Sequence, residues 1–312
     1  MSAQDPLDQV GFITDIQFFS LSDGPGIRTT VFLKGCLLNC KWCHNPEGKH
    51  RYPEVFPYLP NCDGCGECVE VCPAGAIEMV VPERPRIDRT LCMDCFQCSE
   101  ACSRSAMVVW GRMVEVREVI SEVERDKVFY KNSGGGMTLS GGEPLAQPEF
   151  SIALLAAAKE REIGTALDTS GCTQWDKLER VLGVTDLVLL DIKHMDNKAH
   201  RDFCGVSNEH IIENAGLIAA AGVGMRIRVP VIPGFNDTEE NLRATAEFVS
   251  RLGGGGGRIG VDILPYHPYA GAKYAVFGLD YPYSPGEGYP EEKLHDFINI
   301  FVNCDLEVTV GA

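Results

Sequence analysis

Cysteine is the residue type in this sequence whose number and spacing most clearly allow chemistry, since the chain contains 14 of them. Eleven fall between Cys36 and Cys102, whereas Cys172, Cys204 and Cys304 are scattered, and we expect these three to have plain packing roles. The N-terminus lacks the basic and apolar segments of a signal peptide, so we expect a cytoplasmic protein with reduced thiols. Dense cysteine in that compartment indicates metal binding rather than disulfides.

The first cysteine group has the sequence C-LLN-C-KW-C and consists of Cys36, Cys40 and Cys43. Three thiolates on a short loop can hold three irons of a [4Fe–4S] cube and leave the fourth iron open to a substrate. A structural zinc ion with His44 as its fourth ligand is the alternative, although the spacing differs from that of paired zinc knuckles. The group therefore predicts a catalytic iron–sulfur site.

The second cysteine group contains two runs with the spacing CxxCxxCxxxC, at residues 62–72 and 92–102. This repeated spacing matches bacterial two-cluster ferredoxins, in which the fourth cysteine of each run ligates the cluster of the other run. By that pattern the ligand sets are Cys62, Cys65, Cys68 and Cys102 for one cube, and Cys92, Cys95, Cys98 and Cys72 for the other. Two such cubes beside a site that needs one electron suggest a relay. A structural or docking insert, and zinc in place of iron, are the alternatives.

Outside these runs the periodicity alternates between strands and helices. We predict strands at 28–33, 137–140, 165–168, 187–192, 225–231 and 259–264, and helices at 148–160, 210–221, 237–252 and 291–302. Strands such as LVLLDI are apolar without alternation, as expected for parallel strands covered on both faces. Repeated βα units predict an α/β fold, a partial (β/α)6 TIM-like barrel, with a doubly wound sheet as the alternative. Both architectures bind ligands at the carboxyl ends of their strands.

Residues 52–109 interrupt this pattern with a segment rich in Cys, Pro and Gly. We predict that they form an inserted ferredoxin-like domain with two [4Fe–4S] clusters, and that residues 1–51 and 110–312 form the barrel. The glycine run at 253–257 is expected to be a flexible connection without chemistry.

The composition excludes several classes of partner. The chain has 312 residues, of which 45% are hydrophobic, and it has a formal net charge of −16. This charge argues against nucleic acid and against an anionic membrane surface as partners. No apolar run reaches the ~18 residues that a membrane span needs.

The motifs together resemble a known family. CxxxCxxC after the first strand of a βα barrel is the signature of radical S-adenosylmethionine enzymes. With DGPGIRT at 23–29 and SGGEP at 140–144, the sequence resembles the activating enzymes of glycyl radical enzymes. The resemblance implies that S-adenosylmethionine binds the open iron. One electron then cleaves it to methionine and a 5′-deoxyadenosyl radical, which removes a hydrogen atom from a backbone glycine of the partner.

The resemblance also implies partners and cofactors. We expect three [4Fe–4S] clusters, S-adenosylmethionine and a monovalent cation. The macromolecular partners are the C-terminal glycine loop of a glycyl radical enzyme and a reduced flavodoxin or ferredoxin as donor, and we expect a monomer. The ferredoxin-like insert suggests activators of lyases, dehydratases or decarboxylases, but the sequence does not indicate which one.

Site residues can be assigned by the same resemblance. Gly141, Gly142 and Glu143 are expected to lie against the methionine amino group, because a carboxylate suits an ammonium. Trp42 is expected to pack beside the adenine, and ordinary loop packing is its alternative.

Further assignments fall at the ends of predicted strands. Asp168, Thr169 and Asp191 are expected to hold the monovalent cation, since a hard cation prefers oxygen ligands, and helix capping by the two aspartates is the alternative. Lys193 and His267 are expected to contact the cofactor or the substrate peptide and, with the cysteines of the first group, to be catalytic.

Two further segments complete the expected site. Arg228 is expected to bind S-adenosylmethionine, and we expect Arg226 to point to the opposite face of the strand. The glycine-rich loop is expected to bind the partner through Asp23, Gly24, Gly26 and Arg28, with a purely structural turn as the alternative.

Two other functions are compatible with parts of the sequence. One is an anaerobic maturase that oxidises a Ser or Cys side chain of another protein, which the DGPGIR segment argues against. The other is an electron-transfer protein whose barrel is only a scaffold, which SGGEP beside CxxxCxxC argues against.

Overall fold

The computed structural model describes residues 5–80, 84–253, 259–283 and 286–311. Within these residues the strands are β1 (Val10–Ser20), β2 (Arg28–Leu33), β3 (Glu54–Pro57), β4 (Ile77–Val80), β5 (Arg84–Ile87), β6 (Met107–Trp110), β7 (Arg112–Glu115), β8 (Gly136–Gly141), β9 (Gly164–Thr169), β10 (Leu187–Asp191), β11 (Gly224–Val231), β12 (Gly260–Pro265) and β13 (Val308–Val310). The helices are α1 (Glu67–Glu70), α2 (Gln97–Ala101), α3 (Val116–Glu124), α4 (Lys127–Ser133), α5 (Pro148–Glu160), α6 (Trp175–Leu182), α7 (Asn197–Cys204), α8 (Glu209–Ala221), α9 (Glu239–Leu252), α10 (Tyr269–Val276) and α11 (Glu291–Val302).

A nine-stranded sheet organises the described part of the chain, in the order β13-β12-β11-β10-β9-β8-β2-β1-β7. Strands β2 and β8–β13 pair in parallel, whereas β1 is antiparallel to both β2 and β7. The parallel strands follow one another in chain order, without the reversal that defines a doubly wound sheet. Within the described residues the sheet ends at β13 and β7, so the fold is a partial barrel, as the sequence predicted.

The main core lies between the strands and the helices that cover them. Leu139, Leu167, Leu190 and Ile227 of the strands and Leu154 of α5 belong to one buried cluster, and each is fully shielded from solvent. Burying a side chain of this size contributes about 1.5–3 kcal/mol. Many such residues hold the strand ends, and therefore the site, in fixed positions.

The helix that follows β11 illustrates how local sequence fixes an element. The Oγ1 of Thr238, at the N-cap of α9, accepts a hydrogen bond from the backbone N–H of Asn241, and Glu239 and Glu240 occupy the first turn. A hydroxyl at the N-cap and acidic residues in the first turn both stabilise a helix start. The helix therefore begins two residues after the predicted Asp237. The glycine run at 254–257 lies outside the described residues.

The insert forms two small antiparallel ladders, β3 with β6 and β4 with β5. Its short helices α1 and α2 carry the buried Cys68 and Cys98. Repeated strand–cysteine–helix units of this kind agree with the predicted ferredoxin-like insert.

No helix in the described part of the chain has both the length and the apolar character required to cross a bilayer.

Candidate functional site

A cavity of about 520 Å³ opens at the carboxyl ends of the parallel strands. It brings together most of the residues that the sequence singled out: Cys36, Cys40, Trp42, Cys43, Gly141, Gly142, Asp168, Thr169, Asp191, Lys193, Arg228 and His267. The loops after parallel strands converge at one edge of a barrel, which is why residues so distant in sequence meet here.

The cluster loop, which carries Cys36, Cys40 and Cys43, follows β2 and borders this cavity. Burial raises the pKa of Cys36 to about 12. In the described part of the chain, no group of three His, Cys, Asp or Glu side chains is arranged to hold a single metal ion. Three thiols spread around one cavity fit a larger group such as an iron–sulfur cube.

Two glycines at the end of β8 allow the cluster loop to pack closely against this strand. A Cβ on Gly142 would lie 2.3 Å from the carbonyl oxygen of Gly35 and 2.4 Å from that of Gly48, both in backbone of the cluster loop. Gly141 has a φ of +108°, a conformation that L side chains rarely adopt. The close approach that these glycines allow is therefore to the protein's own backbone.

The carboxylate of Glu143 lies behind the cavity wall rather than in it, which differs from the expectation that it meets the methionine amino group. It accepts hydrogen bonds from Thr169 Oγ1 at 2.6 Å, from the Ser170 N–H at 2.9 Å and from the Leu145 N–H at 3.1 Å. Only 1% of the residue is exposed. Its side chain therefore joins the end of β8 to the end of β9.

Two ion pairs line the wall of the cavity. Arg228 Nη1 lies 3.2 Å from Asp168 Oδ1, and Lys193 Nζ lies 2.6 Å from Asp191 Oδ2. Asp168 raises the pKa of the Arg228 guanidinium. Burial opposes the charge of Lys193, but Asp191 and neighbouring thiols outweigh it and raise the pKa of that ammonium. Both cations stay charged at neutral pH.

The helices that follow these strands exclude one of the two roles considered for the aspartates. Gln174 and Asp196 occupy the N-cap positions of the helices that follow, so helix capping by Asp168 and Asp191 is wrong. The residues do lie together, but Thr169 Oγ1 donates to Glu143 and both aspartates face cations of the protein. The three residues lie together in the lining of the cavity, and their role in holding a monovalent cation stays a prediction.

The expectation for Arg226 is wrong. Residues two apart on a strand share a face, so Arg226 and Arg228 project from the same side of β11. Arg226 lies one layer lower and pairs with Asp262 of β12, its Nη2 2.5 Å from Oδ1. It supports the sheet beneath the cavity.

Aromatic rings form another part of the cavity lining. Trp42 is buried and packs on Phe235, with ring centroids 4.6 Å apart, while it also borders the cavity, so both of its expected roles are compatible with its position. His267 lies with its ring centroid 4.3 Å from that of His44. Burial lowers the pKa of His44 to about 4, which keeps this imidazole neutral.

The glycine-rich loop reaches the edge of the cavity through Ser22, whose carbonyl accepts a bond from Arg228 at 3.4 Å. Asp23 Oδ2 accepts hydrogen bonds from Ser20 and, at 2.8 Å, from Thr30. A Cβ on Gly26 would lie 2.5 Å from the backbone nitrogen of Gly135. The loop is thus anchored firmly beside the cavity.

Arg28 does not present itself to a partner, contrary to expectation. It is 3% exposed, and it donates to Thr138 Oγ1 at 2.6 Å and to the carbonyls of Met137 at 2.8 Å and Pro25 at 3.2 Å. Its guanidinium spans from β2 to β8 and the loop, because burial leaves it only internal acceptors. Arg28 therefore holds the loop in place.

The insert arranges its eight cysteines around two separate cavities. One is lined by Cys62, Cys65, Cys68 and Cys102, and the other by Cys72, Cys92, Cys95 and Cys98. These are the two ligand sets that the ferredoxin spacing predicts, with the fourth cysteine of each run exchanged.

Sequence reasoning missed a contact between Cys204 and the cluster loop. The carbonyl of Cys204, at the end of α7, accepts a hydrogen bond from the N–H of Asn39 at 2.7 Å, and the Cys204 thiol lowers the pKa of Cys40 to about 7. Nothing in the linear pattern indicates this contact, because Cys204 lies far from Cys40 in sequence. Cys304 packs on the main core, as expected.

Comparison with known proteins agrees with this site. Residues 93–249 match the model of the Radical SAM superfamily, residues 61–107 that of a 4Fe-4S dicluster domain, and residues 22–57 that of a 4Fe-4S single cluster domain. The fold is similar to that of Streptococcus suis SuiB bound to its precursor peptide SuiA, with a TM-score of 0.55 and 12% identity over 90% of this chain and 47% of that one.

Curated relatives are similar along nearly the whole chain. The isethionate sulfite-lyase activating enzyme of Nitratidesulfovibrio vulgaris is 44% identical, with 87% of this chain and 89% of the relative covered. The benzylsuccinate synthase activating enzyme of Thauera aromatica is 40% identical, with 97% and 93% covered. The chain therefore belongs to the activating enzymes of glycyl radical enzymes, radical S-adenosylmethionine oxidoreductases that use iron–sulfur clusters.

Proposed function

We propose that this protein creates a glycyl radical in a partner enzyme by removing one hydrogen atom from the Cα of a backbone glycine. The observation that carries the proposal is the single cavity in which the cluster loop meets the strand-end residues of a radical S-adenosylmethionine barrel. The names of its relatives, which activate isethionate sulfite-lyase and benzylsuccinate synthase, support the same class of partner.

The cavity residues fit the two groups that this reaction requires. Cys36, Cys40 and Cys43 would hold three irons of a [4Fe–4S] cluster. When both are bound, the reduced cluster and S-adenosylmethionine supply an electron and a 5′-deoxyadenosyl radical, with methionine as the other product. The Asp168–Arg228 and Lys193–Asp191 pairs present both signs of charge to the amino and carboxylate groups of an amino acid.

The protein's further contribution is orientation and the exclusion of water. The cluster loop packs into a second apolar cluster that includes Leu38, Trp42, Ile232 and Tyr266, each at most 6% exposed. An apolar wall that excludes water protects a reactive radical from side reactions. A glycine is the residue whose Cα can approach most closely, because it has no side chain.

The two cysteine sets of the insert would hold two further cubes, which gives three [4Fe–4S] clusters in all. We infer that they relay electrons from a reduced flavodoxin or ferredoxin. Each set has one exposed cysteine, Cys65 or Cys95, so exposure allows an outside donor to reach the insert without choosing between the two sets.

The test is to mix the reconstituted, reduced protein with S-adenosylmethionine and candidate partners in the absence of oxygen. Isethionate sulfite-lyase, benzylsuccinate synthase and choline trimethylamine-lyase form a suitable panel, since activators of all three are relatives of this chain. We expect one partner to give the electron paramagnetic resonance doublet of a glycyl radical, and exchange of its glycine for alanine to abolish it. An oxidised Ser or Cys side chain without a radical signal would instead favour the maturase.

A further inference from the structure

The insert joins the barrel at one end of its β3–β6 ladder. The register runs from Glu54 opposite Trp110 to Pro57 opposite Met107. Trp110 is followed by Gly111 and then by β7 of the main sheet, so the Glu54–Trp110 end is the end at the barrel. A strand rises about 3.3 Å per residue, so the far end of the ladder lies about 10 Å further away.

The two cysteine sets occupy different ends of this ladder. Val55 lines the cavity of Cys72, Cys92, Cys95 and Cys98, which we name the near set. Ala106 and Met107 line the cavity of Cys62, Cys65, Cys68 and Cys102, which we name the far set. The near set therefore lies on the barrel side of the insert.

A series of charged side chains connects the near set to the cluster loop. Lys34 Nζ lies 3.7 Å from Glu54 Oε2, and Arg89 Nη1 lies 3.8 Å from Glu54 Oε1 and 3.9 Å from Asp94 Oδ1. Lys34 comes two residues before Cys36, and Asp94 stands between Cys92 and Cys95. This series of charged side chains thus starts beside one predicted cluster and ends beside another.

The Lys34–Glu54 end of this series of charges is buried and constrains the structure, whereas the side chains of Arg89 and Asp94 are 32% and 29% exposed. The side chain of Lys34 is 0% exposed and that of Glu54 is 12% exposed. A buried ammonium is strongly unfavourable without partners. Lys34 Nζ donates a hydrogen bond to the Glu47 carbonyl, and Glu54 supplies the nearby carboxylate that balances its charge, which favours a fixed position for Glu54 and therefore for β3. Arg89 adds a hydrogen bond to the Val55 carbonyl at 2.5 Å and lies over the ring of Phe56 at 4.5 Å.

The far set has a contrasting environment. Its ion pair joins Asp63 and Arg104 at 2.7 Å, with side chains that are 42% and 62% exposed. An exposed pair of this kind constrains the position of a domain little, because solvent screens it.

We propose that Lys34, Glu54 and Arg89 are positioning residues that hold the near set against the cluster loop. The near set is then the inner of the two insert clusters, and the far set is where a reduced flavodoxin or ferredoxin delivers each electron. The donor loses one electron and the cluster of the barrel gains one. This inference rests on the proposed function for its cluster content but not on the identity of the partner.

The test uses the reconstituted full chain and measures the magnetic interaction between clusters instead of activity. The electron paramagnetic resonance signal of the barrel cluster is identified by its change when S-adenosylmethionine is added. We expect reduced neighbouring clusters to broaden this signal in the parent protein and in Cys62→Ala, and the broadening to be lost in Cys92→Ala. Loss in Cys62→Ala with retention in Cys92→Ala would overturn the order of the two sets.

The positioning role is tested with Glu54→Gln, and Asp63→Asn is the matched control at the far end. We expect Glu54→Gln to reduce the broadening and to speed amide hydrogen exchange in β3 and β6 several-fold, with Asp63→Asn unchanged. Parent-like broadening and exchange in Glu54→Gln would overturn it. A protein that passes these tests yet forms no glycyl radical would contradict the proposed function and leave this inference standing.

Discussion

Arg228 of β11 and Asp168 of β9 form an ion pair across the intervening strand β10, with Nη1 3.2 Å from Oδ1. Asp168 also accepts a hydrogen bond from Ser140 Oγ of β8 at 2.6 Å. The ends of three strands are therefore bound to one carboxylate. This arrangement fixes the cavity wall before any ligand arrives, which lowers the cost of ordering a site upon binding.

Removing that carboxylate should weaken both the fold and the site. Asp168→Ala leaves Arg228 with 11% of its side chain exposed and without this carboxylate. Loss of one partner from a buried pair costs about 3 kcal/mol. We expect this loss in anaerobic denaturant titrations, together with weaker S-adenosylmethionine binding in equilibrium dialysis. Glu179→Ala, on the exposed face of α6, is the control and should change stability by less than about 0.5 kcal/mol.

Metal analysis should separate the three predicted clusters. The anaerobically reconstituted protein should contain about twelve irons, four for each cube. Replacing Cys36, Cys40 and Cys43 together by Ala should remove about four and abolish cleavage of S-adenosylmethionine. Stoichiometric zinc, or about four irons in the parent protein, would contradict three clusters.

Electron delivery through the insert should depend on the donor. Cys62→Ala or Cys92→Ala should slow reductive cleavage of S-adenosylmethionine with a reduced flavodoxin or ferredoxin. Cleavage driven by dithionite should suffer less, because a small reductant can reach the barrel cluster directly. Equal loss with every donor, in a protein with native circular dichroism, would favour a docking role for the insert.

The cluster loop should not tolerate a methyl group at Gly142. A Cβ there meets two backbone carbonyls within 2.4 Å, so the loop has to move. We expect Gly142→Ala to hold about four fewer irons or to bind S-adenosylmethionine more weakly. Gly216→Ala is the control, because a Cβ on this α8 glycine meets nothing within 4 Å. That variant should be stabilised by about 0.5–1 kcal/mol.

The glycine-rich loop should matter more for the partner than for the cofactor. Asp23→Ala should weaken the glycyl radical signal more than it weakens S-adenosylmethionine cleavage without partner, because the loop lies at the edge of the cavity. Asp15→Ala, an exposed aspartate of β1, is the control and should leave the ratio of the two activities unchanged. If Asp23→Ala lowers both activities equally, its role is structural.

The sequence predicted the fold where local patterns were strong. The observed β2, α5 and α11 have the predicted bounds, and a Pro marks the start of both helices, Pro148 in α5 and Pro290 directly before α11. Strands β1, β7 and β13 were not predicted. They lie at or beside the edges of the sheet, where exposed and half-buried residues mix and neither simple period dominates.

The site was predictable at the level of which residues gather, but less so for what each one does. The roles of Arg28 and Glu143 depend on partners such as Thr138 and Thr169, which lie 110 and 26 positions away. A buried polar side chain whose hydrogen-bond partners are distant in sequence leaves no local pattern that predicts its role. For the same reason, the sequence does not reveal that Cys204 lies close to Cys40.

The insert leaves and re-enters the barrel at two points that lie side by side, because Glu54 and Trp110 are paired in one ladder. Removal of a segment attached in this way leaves only a short gap for a turn to close. Its loss would nevertheless remove the carboxylate 3.7 Å from the fully buried ammonium of Lys34. The ammonium would keep its hydrogen bond to the Glu47 carbonyl but lose this nearby negative charge, so the insert supplies part of the charge balance inside the barrel.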